Sequence, residues 1–402
     1  MHPYARWGVR PRINGAGLVT RLGGSLLPAE VLEAMAEASQ TFVDMAELQA
    51  GASRAIAVHT GAEAGLVTAG AAAGLTLGTA ACLTGLDPGR MGRLPDTTGM
   101  PDVVLMARTH RTAYDHALRA AGARILDVGV NDRGTGAGVR DVEAWEFEAA
   151  ITPQTAAIAY TAGPGRQPAL AEVVAVAHRH GLPVIVDAAA QLPPVANLRR
   201  FTEAGADLVA FSGGKAMQGP QGTGILCGRR DLIAAAALQQ LDMDVRPETW
   251  QPPVGYLPQD WSRGLPQHGI GRGCKVAKEE VVGLLVALER FVNLDHAAEE
   301  ARHIALLTHL AERLGAASAV RCRLLSAAET GRIPLLEVSW DETAVGRSAF
   351  AVSLTLQAGD PPIHLSERRA PEGILVVNPA GLRDEEEAVV ATRLLAALGV
   401  RA

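Results

Sequence analysis

Residues 183–228, PVIVDAAAQLPPVANLRRFTEAGADLVAFSGGKAMQGPQGTGILCG, decide the fold. The run reads as two buried strands, each ending in a polar group, followed by a Gly-rich loop that carries one lysine. Val184 to Val186 is a continuous β-branched run closed by Asp187, and Asp207 to Phe211 opens into Ser212-Gly213-Gly214-Lys215. Unbroken apolar runs of this length suit parallel strands covered on both faces. Polar groups at the carboxyl ends of such strands fall where open α/β sheets bind ligands.

Lys215 stands out on composition. Of the 37 basic residues, only Lys215, Lys275 and Lys278 are lysine. Arginine cannot lose its proton or form an imine, whereas a buried lysine can do both. Lys275 and Lys278 lie in the helix-start pattern KVAKEE, where a partner such as Glu279, four residues after Lys275, gives them a structural role. An acid ending one strand and a lysine just after the next is the arrangement that pyridoxal phosphate requires. The lysine forms the imine, and the carboxylate keeps the pyridine nitrogen protonated so that the ring can draw in electrons. Taken singly, each residue also fits a plainer reading, a surface lysine on a Gly turn and an aspartate capping a helix. The pair in this context favours the cofactor.

The 402 residues exceed what one core usually holds, so two domains are expected. Hydrophobic residues make up 48% and charged residues 20%, as in a soluble globular protein, and a net charge of −6 argues against a nucleic-acid surface over the whole chain. The opening MHPYARWGVRPRING has no apolar core, so no signal peptide is expected. The longest apolar segment, Gly65 to Leu86, is broken by Gly and Thr, and no membrane span is expected. Cys82, Cys227, Cys274 and Cys322 lack metal-ligand spacing; they read as reduced thiols of a cytoplasmic protein with no metal site.

In chain order, 1–50 reads as an N-terminal arm and helix, 51–273 as a large cofactor-binding domain, and 274–402 as a spine helix and a small C-terminal domain. The Gly-rich arm, residues 10–27, is either a plain tether or wraps a neighbouring subunit. Leu66-Val67-Thr68 is a short strand, and Ala69-Gly70-Ala71-Ala72-Ala73 starts a helix running to about Leu83. Small residues at such a junction leave backbone N–H groups open to a phosphate, which the helix dipole favours. Ser212 would be a second donor. Strands follow at 103–107, 124–128 and 156–161. His110, at a carboxyl strand end, is placed either to stack on a pyridine ring or to face water, and Ala189 is small enough to lie against the opposite face of that ring. The β-α-β rhythm implies a mostly parallel, doubly wound α/β sheet. Residues 242–273 are rich in Pro and Gly and carry Met243, Trp250, Tyr256 and Trp261, apolar groups that need a surface to cover them. Beyond them, one or two helices over 275–314, strands near 321–325, 335–338, 351–356 and 374–377, and a helix from 384 to 398 make a small α+β domain.

The blocks INGAGLVTRLGG, LVTAGAAAGL, VDAAAQLPP, FSGGKAMQGPQGTGIL and GIGRGCKVAKEE resemble the pyridoxal-phosphate-dependent transferase fold-type I group that includes selenocysteine synthase (seryl-tRNA selenium transferase) and D-glucosaminate-6-phosphate ammonia-lyase. SGGK-x-x-x-GPQ-x-G is the most specific of them. The resemblance implies Lys215 as the imine lysine and Asp187 as the pyridinium partner. It further implies Gly70, Ala71 and Ser212 around the phosphate, His110 over the ring, and an active site at a subunit interface. The chain departs from the selenium transferases in two places. Thr20-Arg21-Leu22-Gly23-Gly24 stands where they carry TNLGR, and Gly269 with Arg272 stands where they carry paired arginines. With no room for their tRNA-binding domain, no nucleic-acid partner is expected.

The expected function is therefore that of a pyridoxal 5'-phosphate lyase acting on a small amino acid or amino sugar acid through an α-carbanion. A racemase or aminotransferase uses the same groups and stays open; a non-catalytic binding protein would not need Lys215 and Asp187. Arg272 is the first candidate for the substrate carboxylate, followed by Arg21, Arg246 and Arg369, because a planar guanidinium suits a carboxylate. The long loop and Arg272 suggest a homodimer or higher homo-oligomer.

Overall fold

The computed structural model describes residues 3–400 apart from 131–139, 243, 245, 247 and 259–263. Two compact units emerge, Leu27–Val292 and a second made of Met1–Leu26 with Asn293–Ala402. The Gly-rich arm, which the sequence groups with the first helix, thus joins the C-terminal residues. Its strand β1 (Ile13–Gly15) runs parallel to residues 363–365.

In the larger unit the helices α1 (Ala29–Ser39) and α2 (Met45–Thr60) lead into β2 (Ala64–Thr68), α3 (Gly70–Thr84) and α4 (Pro88–Met91). Then come β3 (Val103–Ala107), α5 (Asp115–Ala120), β4 (Arg124–Val128), α6 (Ala144–Ala150), β5 (Thr155–Thr161), α7 (Leu170–Arg179) and β6 (Val184–Asp187). The unit closes with α8 (Asn197–Glu203), β7 (Leu208–Ser212), β8 (Gly224–Gly228), α9 (Arg230–Gln240) and α10 (Lys278–Asn293). Among the described residues seven strands form one sheet in the order β2-β8-β7-β6-β5-β3-β4, and only β8 is antiparallel to its neighbours.

Most of the strands are apolar because both faces are covered; the edge strand β4 is the exception, with Arg124 and Leu126 exposed. In β3, Val103, Leu105 and Ala107 join a core with α2, α6, α7, α8 and α10, while Val104 and Met106 join a core with α3, α5 and α9. The α3 helix has apolar or small residues on all sides, with Leu75, Leu77, Ala80 and Ala81 buried. It is a central layer rather than a surface helix.

The smaller unit contains α11 (His296–Gly315), β9 (Val320–Leu325), α12 (Ala327–Thr330), β10 (Leu335–Trp340), α13 (Glu342–Val345), α14 (Ala349–Ala358), β11 (Ile363–Leu365), β12 (Ile374–Val377) and α15 (Glu386–Leu398). Its antiparallel sheet runs β12-β10-β9. The strand expected at 351–356 is instead α14. The period-two reading of AVSLTL fails because the buried residues are Ala349, Val352, Ser353 and Leu356, a helical stripe, and Leu354 is exposed. Ser348 starts this helix by accepting from Ala351 N–H at 3.2 Å.

Strand β2 forms one edge of the large sheet, and its open side is closed by side chains of α2. Gln49 is buried and pairs with both backbone groups of Val67: its Nε2 donates to the carbonyl at 3.0 Å and its Oε1 accepts from the N–H at 3.1 Å. Ser53 Oγ accepts from Gly65 N–H at 3.0 Å. A helix thus completes the ladder of an edge strand, which would otherwise be a template for pairing with another chain. Gln49→Leu strands two buried backbone groups, and we expect it to cost roughly 2–4 kcal/mol. Chemical denaturation and light scattering on warming check this; a variant as stable and soluble as the wild type overturns the role given to Gln49.

Candidate active site

The loop between β7 and β8 is shaped by backbone crowding. A side chain at Gly213 would meet Thr223 Oγ1 at 2.3 Å and Leu284 at 2.5 Å, and one at Gly214 would meet Gln221 Cα at 2.5 Å. The SGGK run is therefore glycine because the returning chain, Gln221–Thr223, lies against it. Gly219 N–H donates to Gly213 O and Gly213 N–H to Thr223 O, both at 2.9 Å. Gln218 takes a left-handed φ of 58°, and its Oε1 accepts from Arg290 Nη1 of α10 at 2.8 Å. Lys215 is half-buried within this pinned turn. Of the other lysines, Lys278 pairs with Glu279 at 3.3 Å and donates to Ser39 O. The Lys275–Glu279 pairing expected from spacing is replaced by this one.

On the adjoining strands the first turn of α3 is stripped of side chains. Ser212 is in register with Gly224, and a Cβ on Gly224 would stand 2.5 Å from Ala71 N and from Gly70 C. Gly70 has φ +85°, and Ala69 supplies no side-chain cap. The open N–H groups at this helix start can take a phosphate, with Ser212 beside them.

Asp187 ends β6, in register with Thr161 of β5. Burial pushes its carboxyl above the ordinary range, countered by the N–H of Ala189 at 3.0 Å and by the charge of Lys215, while Asp115 raises it further. The cleft beside Asp187 is lined by Thr112, Tyr114, Asp115, Tyr160 and Thr161. His110 does not face water: it is fully buried, with its ring edge-on to Tyr160 at 4.6 Å, and its carbonyl accepts from Thr161 Oγ1 at 2.9 Å. Asp115 is buried and accepts from Thr112 N–H at 3.1 Å and from Arg111, which also bonds Asp127. Thr112, Tyr114 and Asp115 were not picked out from the sequence. The signal for them was their place in RTHRTAYD, directly after the carboxyl end of a strand.

The arginines considered for a substrate carboxylate scatter. Arg272 forms an ion pair with Asp242, and its neighbour Gly271 lies against Leu77, two turns into α3, and Gln239. Arg246 is exposed, with its carbonyl accepting from Thr249 and Trp250. Arg369, in the smaller unit, is held by Glu337 and Glu372, so a third carboxylate would compete with two already present. Arg21, in the same unit, contacts His364. The loop of 242–273 also departs from expectation: Trp250, Tyr256 and Leu257 pack on the core of their own chain. Met243 and Trp261 lie outside the described residues.

A half-buried carboxylate at a strand end, a lysine whose charge acts on it and an uncapped helix N-terminus suit the nitrogen, aldehyde and phosphate of pyridoxal phosphate respectively. Comparison with known proteins points the same way. Residues 103–244 match the aminotransferase class-V family. The chain is 31% identical to 5'-C-glycyluridine monooxygenase-decarboxylase of a Streptomyces species, over 97% of this chain and 90% of that protein. It is 30% identical to D-glucosaminate-6-phosphate ammonia lyase of Salmonella typhimurium, over 97% and 96%. A solved structure of D-glucosaminate-6-phosphate ammonia-lyase superposes with a TM-score of 0.81 at 29% identity, covering 99% of each chain. The chain belongs to the fold-type I enzymes that use pyridoxal 5'-phosphate, in the group of D-glucosaminate-6-phosphate ammonia lyase and the selenocysteine synthases.

Proposed function

We propose that the protein is a lyase that releases ammonia or another substituent from a small amino acid or amino sugar acid, with Lys215 and Asp187 as its central residues. The observation that carries the reading is the placing of Asp187 at the end of β6 beside β7, whose following glycine-held turn carries Lys215, so that the lysine's charge acts on the carboxylate. Bound pyridoxal phosphate supplies an aldehyde that condenses with amines and an electron-poor ring that accepts the electron pair of a cleaved bond. Lys215 would hold that aldehyde through its Nζ and, when a substrate amine took its place, would serve as the base for the proton at the substrate α-carbon. Asp187 would keep the pyridine nitrogen protonated. Gly70, Ala71 and Ser212 would hold the phosphate, and His110 and Ala189 would border the ring. Arg272, Arg21, Arg246 and Arg369 are the candidates for the substrate carboxylate, of which Arg272 and Arg369 already pair with carboxylates of the chain.

The 31% identity to a monooxygenase-decarboxylase favours a second reading, loss of CO2 with uptake of dioxygen. Incubation with D- and L-amino acids and D-glucosaminate 6-phosphate separates the two. Ammonia with a keto acid and no oxygen uptake supports the lyase; CO2 release with oxygen consumption replaces it, and an inverted stereocentre or transferred amine would reassign the enzyme to racemisation or transamination.

Lys215→Ala should abolish turnover and the visible absorption of lysine-bound cofactor, whereas Lys278→Ala keeps both. Borohydride reduction and peptide mapping locate the attachment, and a label on Lys275 or Lys278 overturns it.

Asp187→Asn should lower turnover about 10²–10³-fold, because the ring nitrogen loses its counter-charge. Stability should move the other way in the cofactor-free protein. A carboxyl whose folded pKa is raised is destabilising when ionised, so stability falls as pH rises through that raised value, and Asn removes the cost at neutral pH. Thermal melts of cofactor-free wild type and Asp187→Asn across pH 4–8 check this. A variant that melts below the wild type at pH 7 contradicts the burial argument.

We also infer a homo-oligomer in the cytoplasm. Phe42 is 100% exposed, with Val43 and Met45 also exposed at the α1–α2 turn, a cost in water that a second copy would relieve. All four cysteines are free, which suits a reducing compartment. Phe42→Asp should shift sedimentation towards the monomer; an unchanged profile removes this face from the interface.

A further inference from the structure

The smaller unit contains a group of cations that its own carboxylates leave uncompensated. Arg12 precedes β1 and Arg21 lies in the short turn Thr20–Leu22; both converge on one ring. His364, in β11, is in register with Asn14 of β1 and is only 5% exposed. Arg12 Nη1 is 3.2 Å from His364 Nε2, and Arg21 Nη2 is 3.4 Å from His364 Nδ1. A neutral imidazole has one acceptor nitrogen and one N–H. It can therefore satisfy one guanidinium and must turn its own donor towards the other. A protonated ring satisfies neither.

No carboxylate among the described residues pairs with Arg12 or Arg21. The acid that acts on His364 is Glu367, and it is engaged elsewhere, accepting from Ser353 Oγ at 2.6 Å and Gln357 Nε2 at 2.8 Å. Both arginines are exposed, so an incoming ligand can reach them, while the imidazole forms a buried floor. The turn that carries Arg21 is held by Gly23, whose φ of +89° closes it with an N–H donated to Thr20 O. The missing partner is a group with several acceptor oxygens and negative charge, which accepts from two guanidinium forks at once.

We propose that Arg12, Arg21 and His364 form an oxyanion site that takes a carboxylate or phosphate group between the two guanidinium groups, with the imidazole as its third arm. Its pH dependence has a definite sign. Burial first, then Arg12 and Arg21, hold the His364 pKa below the ordinary range, and Glu367 acts weakly the other way. An anion seated among these groups neutralises the arginines and raises that pKa. Binding therefore takes up a proton and tightens as pH falls.

The test uses the holoenzyme saturated with pyridoxal phosphate, so that the cofactor's own phosphate seat is filled, and sulfate as a dianion that does not titrate near neutrality. Calorimetric titrations at pH 6 and 8 in buffers of different ionisation enthalpy read affinity and proton uptake. Wild type should bind sulfate with proton uptake and more tightly at pH 6. Arg12→Gln and Arg21→Gln should each weaken binding by roughly tenfold or more. His364→Gln should keep binding but lose the proton uptake. Displacement of sulfate by acetate assigns the seat to a carboxylate, and displacement by methyl phosphate alone assigns it to a phosphate group; either outcome upholds the site. No sulfate binding by wild type, binding without proton uptake, or affinity unchanged in both arginine variants overturns it. Because the readout is binding, the result stands apart from which reaction the enzyme performs.

Discussion

The contact on which the large unit depends is that of Gly224 with the first turn of α3. Strand β8 runs against the direction of its neighbours and begins where β7 ends, so its first residue lies beside Ser212. There it presses on Gly70 and Ala71 closely enough that any side chain would collide with backbone. This approach fixes the start of α3 at the carboxyl ends of the strands. It also returns the chain against Gly213 and Gly214 and so holds the Lys215 turn. The start of α3 and the Lys215 turn are positioned by one close passage of two backbones, which glycine alone permits.

Charge is arranged around that frame with unequal compensation. Asp187 is half-buried with one described backbone donor and a lysine as its charge partner, so its ionised form is costly until a cation meets it. Asp115, more deeply buried, is neutralised through Arg111, which also bridges to Asp127. One acid is left available while its neighbour is tied down. That difference separates a group that can serve chemistry from one that braces the wall of the cleft. In the smaller unit the same contrast recurs with opposite sign. Arg369 is held by two carboxylates, and Arg12 and Arg21 share a single imidazole.

Much of this was legible in the chain itself. The strands at 103–107, 155–161 and 184–187 are short apolar runs, and burial on both faces demands that composition wherever they are placed. Lys215 and Asp187 were visible because their positions at strand ends follow from local pattern alone. Tertiary structure alone decided the matters that depend on partners distant in sequence. The arm at 13–15 became a strand because residues 363–365 offered it a parallel edge. The run 351–356 alternates like a strand but folds as a helix, since Ala349, Val352 and Leu356, spaced by helical turns, are the residues that join the apolar core of the smaller unit. Arg272, singled out by its motif, is paired with Asp242, whereas Arg12 gained significance only when β1 brought it to His364. Local sequence specifies backbone propensity and the face a residue presents; the partner of a long charged side chain is set by chain crossings hundreds of residues apart, and periodicity does not encode those.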